Sequence, residues 1–93
     1  MKVKKKDGRI QDFNVDKIKL TLEKVSDEAE KPLTGSDVKT IIKLIDNTIK
    51  ENYKDLVSAD EIHKIVVDQL KKSGFYDIAR AYDDFENKFE KRI

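Results

Sequence analysis

Apolar residues recur at steps of three and four along most of the chain. Val15, Ile18, Leu22, Val25 and Ala29 keep to one stripe, the mark of an amphipathic helix, and Asn14 just before it can accept the helix's first free N–H groups. A second stripe runs through Val38, Ile41, Ile42, Ile45 and Ile49, capped by Ser36 or Thr34, with Pro32 and Gly35 punctuating the link before it. A third helix is predicted from Ser58-Ala59-Asp60-Glu61, whose Ser-x-x-Glu spacing lets each end satisfy the other's backbone N–H, followed by Ile62, Ile65, Val66 and Leu70. Ser73-Gly74 supplies its stop. The last helix starts at Asp77, with Ile78, Ala81, Tyr82, Phe85 and Phe89 on one face.

Ahead of the helices, Val3 to Phe13 is centred on Asp7-Gly8, a pair suited to a two-residue type I′ hairpin turn. That turn sets Lys6 opposite Arg9, Lys5 opposite Ile10 and Val3 opposite Asp12. Val3 and Ile10 then share one face, and Lys4, Lys6, Arg9 and Gln11 the other. Two strands alone are barely stable in water, so the hairpin must lie on a larger body. Leu56-Val57 can add a short third strand. The pattern therefore predicts an α+β domain over residues 1–93: a β-hairpin, or a small three-stranded sheet, capping a four-helix bundle.

Composition narrows what such a domain can do. Charged residues are 42% of the chain and hydrophobic ones 38%, so folding depends on the strict phasing of few apolar side chains. Lys and Arg number 20 against 19 Asp and Glu, a net charge of +1 that weighs against whole-surface binding to nucleic acid or anionic membrane. With no cysteine there is no disulfide framework, thiolate zinc site or cysteine nucleophile. No apolar run reaches the roughly 18 residues of a membrane span, and Met1-Lys2-Val3-Lys4-Lys5-Lys6 lacks the apolar segment of a signal peptide, so a cytoplasmic setting is expected.

Little in the chain suggests catalysis. The single His63 has no Cys or second His beside it for a metal site, and on composition it reads as an exposed or capping histidine. Asp60-Glu61 and Asp83-Asp84 are helix neighbours that point apart, as solvated faces do. No Gly-rich phosphate loop is present. The uneven feature is the cluster Lys2, Lys4, Lys5, Lys6 and Arg9 around the hairpin turn. Lysines on an exposed edge strand prevent edge-to-edge pairing. The same cations, joined by Lys17 at the start of the first helix, can also seat a polyphosphate.

The run Val3-x-Lys5-Lys6-Asp7-Gly8-Arg9, then Phe13-Asn14-x-Asp16-Lys17-Ile18, closely resembles the opening of the ATP-cone family. Val57-Ser58-x-x-Glu61-Ile62 and Ala79-x-x-Tyr82-x-x-Phe85 resemble its later signatures, so the likeness spans nearly the whole chain in order. The resemblance implies a regulatory module, not an enzyme, of the kind found on ribonucleotide reductase large subunits and on the repressor of their genes. Such a module binds ATP or dATP, with Mg2+ on the phosphates, and signals occupancy through self-association or contact with a reductase subunit. It also implies phosphate ligands at Lys5, Lys6 and Lys17, and base and sugar contacts at Gln11, Phe13, Asn14 and Ile18. His63 falls where relatives place a polar contact on the third helix, and Lys88 where they place a C-terminal basic residue. Lysine is the residue of a flexible point charge, suited to a triphosphate.

The chain departs from the family's pattern at three positions. Gln11 stands where many relatives have Glu, Ala59 where many have Ser or Thr, and Lys6 where Arg is common, which removes a bidentate fork. These departures keep open an alternative, a degenerate cone that serves as a protein-interaction domain without nucleotide. Membrane partners are not expected and nucleic acid is disfavoured. Without cysteines, neither a reductase barrel nor a zinc ribbon can lie within these 93 residues.

Overall fold

The first three helices begin where a side chain supplies what the first turn lacks. The computed structural model describes residues 1–29 and 33–91, with side chains described for 1–29 and 33–85. Helix α1 (Val15–Glu28) starts after Asn14, whose extended backbone lets its side-chain oxygen accept the Asp16 N–H at 2.9 Å. Helix α2 (Gly35–Asn52) settles the choice of cap on Thr34, which exchanges a reciprocal pair of hydrogen bonds with Asp37. Gly35 is thus the first helical residue rather than a break, and Pro32 lies outside the described residues.

Helix α3 (Ala59–Lys72) is capped by Ser58, whose hydroxyl accepts the Glu61 N–H at 3.1 Å. The return bond expected from Glu61 to the Ser58 N–H is not made: the Glu61 carboxylate turns to Tyr53 instead, accepting its hydroxyl at 2.9 Å and pushing that phenol's pKa upward. At its far end Gly74 N–H bonds to Lys71 O and Phe75 N–H to Leu70 O, the paired closure of a Schellman motif. Gly74 stands at φ 87°, and no atom lies within 4 Å of where a Cβ would sit. Gly74→Ala is therefore expected to cost about 1–2 kcal/mol from the left-handed backbone alone. Gly35→Ala, in an open helical position, should stabilise by up to about 1 kcal/mol. Urea melts of the two variants read this contrast. Helix α4 (Tyr76–Lys91) follows, starting one residue before the expected Asp77.

The described residues also form three short strands, β1 (Lys2–Lys4), β2 (Ile10–Asp12) and β3 (Leu56–Ser58), in the order β2-β1-β3. The third strand is real, and it runs parallel to β1, joined through Lys2 N–H to Asp55 O at 2.7 Å. The hairpin corrects the expected register. Lys2 pairs with Asp12, Val3 with Gln11 and Lys4 with Ile10, a slip of one residue. Its loop holds three residues, Lys6-Asp7-Gly8, closed by Lys5 N–H to Arg9 O at 2.8 Å and Gly8 N–H to Lys5 O at 3.0 Å. Gly8, at φ 91°, is the left-handed residue of a bulge following a tight turn, and Asp7 Oδ1 accepts the Arg9 N–H at 3.1 Å.

Because side chains alternate, that slip reverses the faces of β2. Val3, Lys5, Arg9 and Gln11 share the face toward the helices, while Ile10 turns out to solvent at 54% exposure. Turn chemistry prevailed over apolar pairing here.

Helices α1 and α3 each pack on both α2 and α4, giving the predicted bundle with the sheet at one end. Leu22, Ile41, Ile45, Ile49, Val66 and Leu70 are fully buried at its centre, and Val3 and Val57 tie the sheet to it. Each such side chain contributes about 1.5–3 kcal/mol. On α4, Ile78, Ala79 and Tyr82 are buried while Ala81 and Phe85 are partly so, and the Phe89 side chain lies outside the described residues. Ser26 is buried but satisfied, accepting the Leu33 N–H at 2.6 Å. Among the described residues no helix is long and apolar enough to cross a membrane.

Candidate functional site

The inner face of the hairpin does not lie flat on the helices. Between them is a cavity of about 780 Å³, within the range of small-molecule sites. Four elements line it. The hairpin brings Val3, Lys5, Lys6, Asp7, Arg9 and Gln11, and the β2–α1 junction brings Phe13 and Asn14. Lys17, Ile18, Thr21 and Lys24 come from α1, Ala59, Ile62 and His63 from α3, and Tyr82 and Phe85 from α4. Eight of the nine residues singled out in the sequence, Lys5, Lys6, Gln11, Phe13, Asn14, Lys17, Ile18 and His63, therefore meet around one space. The ninth, Lys88, has its side chain outside the described residues.

Three of these residues serve the fold as well. Phe13 packs against the core and Ile18 belongs to it, so each presents an apolar wall held rigid from behind. Asn14 commits its oxygen to the α1 cap. Gln11 reaches the cavity only through the observed register, since the expected one placed it on the opposite face from Val3.

The charges are arranged in local pairs. Lys6 Nζ lies 3.6 Å from Asp60 at the start of α3, bridging the hairpin turn to the bundle. Arg9 Nε is 2.6 Å from Asp7 Oδ2, and Lys2 is paired with Asp12. The backbone N–H of Arg9, with its guanidinium, holds the Asp7 carboxyl below its usual pKa, and Lys2 does the same for Asp12. Both pairings are complete above the ordinary carboxylate range and weaken as pH falls through the lowered values.

His63 and the acidic pairs differ from expectation. Half-buried on α3, His63 holds Nε2 2.5 Å from Asp83 Oδ1 on α4 and stacks at a tilt on Tyr82, ring centroids 5.7 Å apart. Asp60, Glu61 and Asp83 are thus interelement partners, not merely solvated faces.

Several cavity residues were not singled out in the sequence. Thr21 and Lys24 follow the already marked Lys17 at i+4 and i+7, a stripe beside the apolar one on α1, and Lys24 Nζ sits 5.5 Å from the Phe85 ring centroid as a cation–π contact. That spacing was readable. Which of Ile62, Tyr82 and Phe85 would face a ligand space was not, because each also fits a core stripe.

The chain is 35% identical over 89 residues to a transcriptional repressor, NrdR, of Streptococcus uberis, an alignment covering 91% of this chain and 52% of that protein. The chain spans about half the length of this curated relative. The model of the ATP cone domain matches residues 1–88, from the first hairpin strand into α4. The chain belongs to the ATP-cone family, whose domains are nucleotide-binding regulatory modules.

Proposed function

We propose that residues 1–93 act as one ATP-cone unit that binds ATP or dATP in the cavity beneath the hairpin. Occupancy would control the oligomeric state or activity of a ribonucleotide reductase-type partner, with no chemistry performed by the cone itself. One observation carries this reading: Lys5, Lys6 and Lys17 line the same cavity as the apolar walls of Phe13, Ile18 and Ile62. Clustered ammonium groups suit a triphosphate, and a flat apolar slot with Gln11 and Asn14 at its edge suits a purine. His63 adds a polar contact from α3, and Lys88 is proposed as a further basic ligand from α4. Among the described residues no cluster of three or more His, Cys, Asp or Glu can hold a metal, and Asp7 and Asp12 each face a cation. The described residues therefore form no protein-held Mg2+ site. Any Mg2+ belongs to the phosphates.

A second reading, an interaction domain without nucleotide, draws on the Lys6–Asp60 contact, which already neutralises one cavity cation from within. Thermal melting separates the two. ATP or dATP at about 100 times the dissociation constant should add about 2.7 kcal/mol, with GTP and a short DNA duplex giving no comparable shift. The DNA arm carries weight because one relative is a transcriptional repressor. Absence of a shift with both adenine nucleotides rejects nucleotide binding in favour of the second reading. Size measurement with and without dATP then tests self-association.

A further inference from the structure

We propose that Arg9, oriented by Asp7, grips the terminal phosphate of the bound nucleotide and so selects triphosphate over diphosphate. This rests on the functional reading above and adds to it a residue and a specificity.

The observed register carries the argument. Lys5 and Arg9 stand directly opposite each other on the hairpin face that lines the cavity, closed by the Lys5 N–H to Arg9 O bond at 2.8 Å. Like charges in that position destabilise a strand pair, so the placement is favourable only with an anion between or beside them. Asp7 provides half of the answer. Its Oδ1 accepts the Arg9 N–H at 3.1 Å and its Oδ2 lies 2.6 Å from Arg9 Nε, which fixes the guanidinium by its inner edge. Among the described residues the terminal nitrogens of Arg9 have no partner. They form the outer edge of a planar fork, the part of arginine that matches two phosphate oxygens at once. This also restores the bidentate group that Lys6 cannot offer.

Position along the strand identifies which phosphate. Arg9, Gln11 and Phe13 follow one another on the cavity face, with the ladder continued by Phe13 N–H to Met1 O at 2.9 Å. Four residues of strand span about 13 Å. With the purine against Phe13, Arg9 is the residue of that row farthest from it, next to the turn, where the end of the phosphate chain would lie.

Dissociation constants for ATP, ADP and AMP, measured by calorimetry on the wild-type chain and on Arg9→Gln, Arg9→Lys and Asp7→Asn, test this. Arg9→Gln should weaken ATP by about tenfold or more, as expected for a lost charged hydrogen bond, while ADP and AMP change by less than about twofold. Arg9→Lys should recover part of the loss. Asp7→Asn keeps an oxygen for the Arg9 N–H but removes the acceptor at Nε, so it should also shrink the preference for ATP over ADP. An ADP-to-ATP ratio unchanged in Arg9→Gln overturns the assignment, whether all three nucleotides weaken alike or none does. Tighter ATP binding by Asp7→Asn overturns the orienting role, since Asp7 would then be competing with the phosphate. If the wild-type chain binds none of the three, the functional reading falls together with this assignment.

Discussion

Replacing Lys5 and Lys6 together by alanine is expected to abolish the rise in melting temperature that ATP produces, while leaving the unliganded domain folded. The size follows from linkage. Saturating nucleotide adds about 2.7 kcal/mol, and a domain of this length shifts by roughly 4–8 °C per kcal/mol, so the wild-type rise should be about 10–20 °C. Lys5 lies on the inner face of the hairpin and Lys6 in its turn, both lining the cavity, so their loss removes two of the three cations around the turn. The fold should tolerate the change. Lys6 and Asp60 are 53% and 62% exposed at 3.6 Å, and such surface pairs contribute about 0–1 kcal/mol. Removing Lys5 also relieves its repulsion with Arg9. A double variant that melts like the wild type without ATP, yet still gains the full shift with it, would move the phosphate seat elsewhere.

The largest effect on stability is expected from Ile45→Ala. Ile45 is fully buried in the middle of α2, at the centre of the core. Truncation there loses both the transfer energy of the removed carbons and the contacts around the space left behind, about 2–5 kcal/mol. A 93-residue domain has only about 5–14 kcal/mol in all, so the variant should melt about 8 °C or more lower and unfold at clearly reduced urea. Leu20→Ala is the counterpart: Leu20 is 66% exposed, and its loss should stay within about 0.5 kcal/mol. Equal effects from the two would contradict the assignment of the core. Because Leu20 also lines the cavity, the same variant with ATP reports whether an apolar side chain on that part of α1 touches the ligand.

How legible the molecule was depends on the range of the interactions involved. Helix stripes and caps were legible because they are short-range: Asn14 and Ser58 cap as their spacing implies, and Ser73-Gly74 closes α3 through bonds spanning only a few residues. The family resemblance rested on residues in the same local blocks, and it marked eight positions that the fold gathers around one cavity. The hairpin register was misread because Asp-Gly suits more than one turn. A two-residue loop would have brought Ile10 beside Val3, but the Asp7 contact to the Arg9 N–H and the bulge at Gly8 selected a three-residue loop.

The sequence by itself therefore determined the elements, their apolar faces, the α+β class and the family, since each is set by spacing within a few turns of chain. Only the tertiary structure decided that Arg9 and Gln11 face inward, that β3 lies parallel to β1, that Lys6 reaches Asp60, and that His63 on α3 meets Asp83 on α4. The strand, Lys6–Asp60 and His63–Asp83 partners are separated by 20 to 54 residues, and nothing local encodes which of many similar charges will be neighbours. Closing the sheet over the bundle selects them.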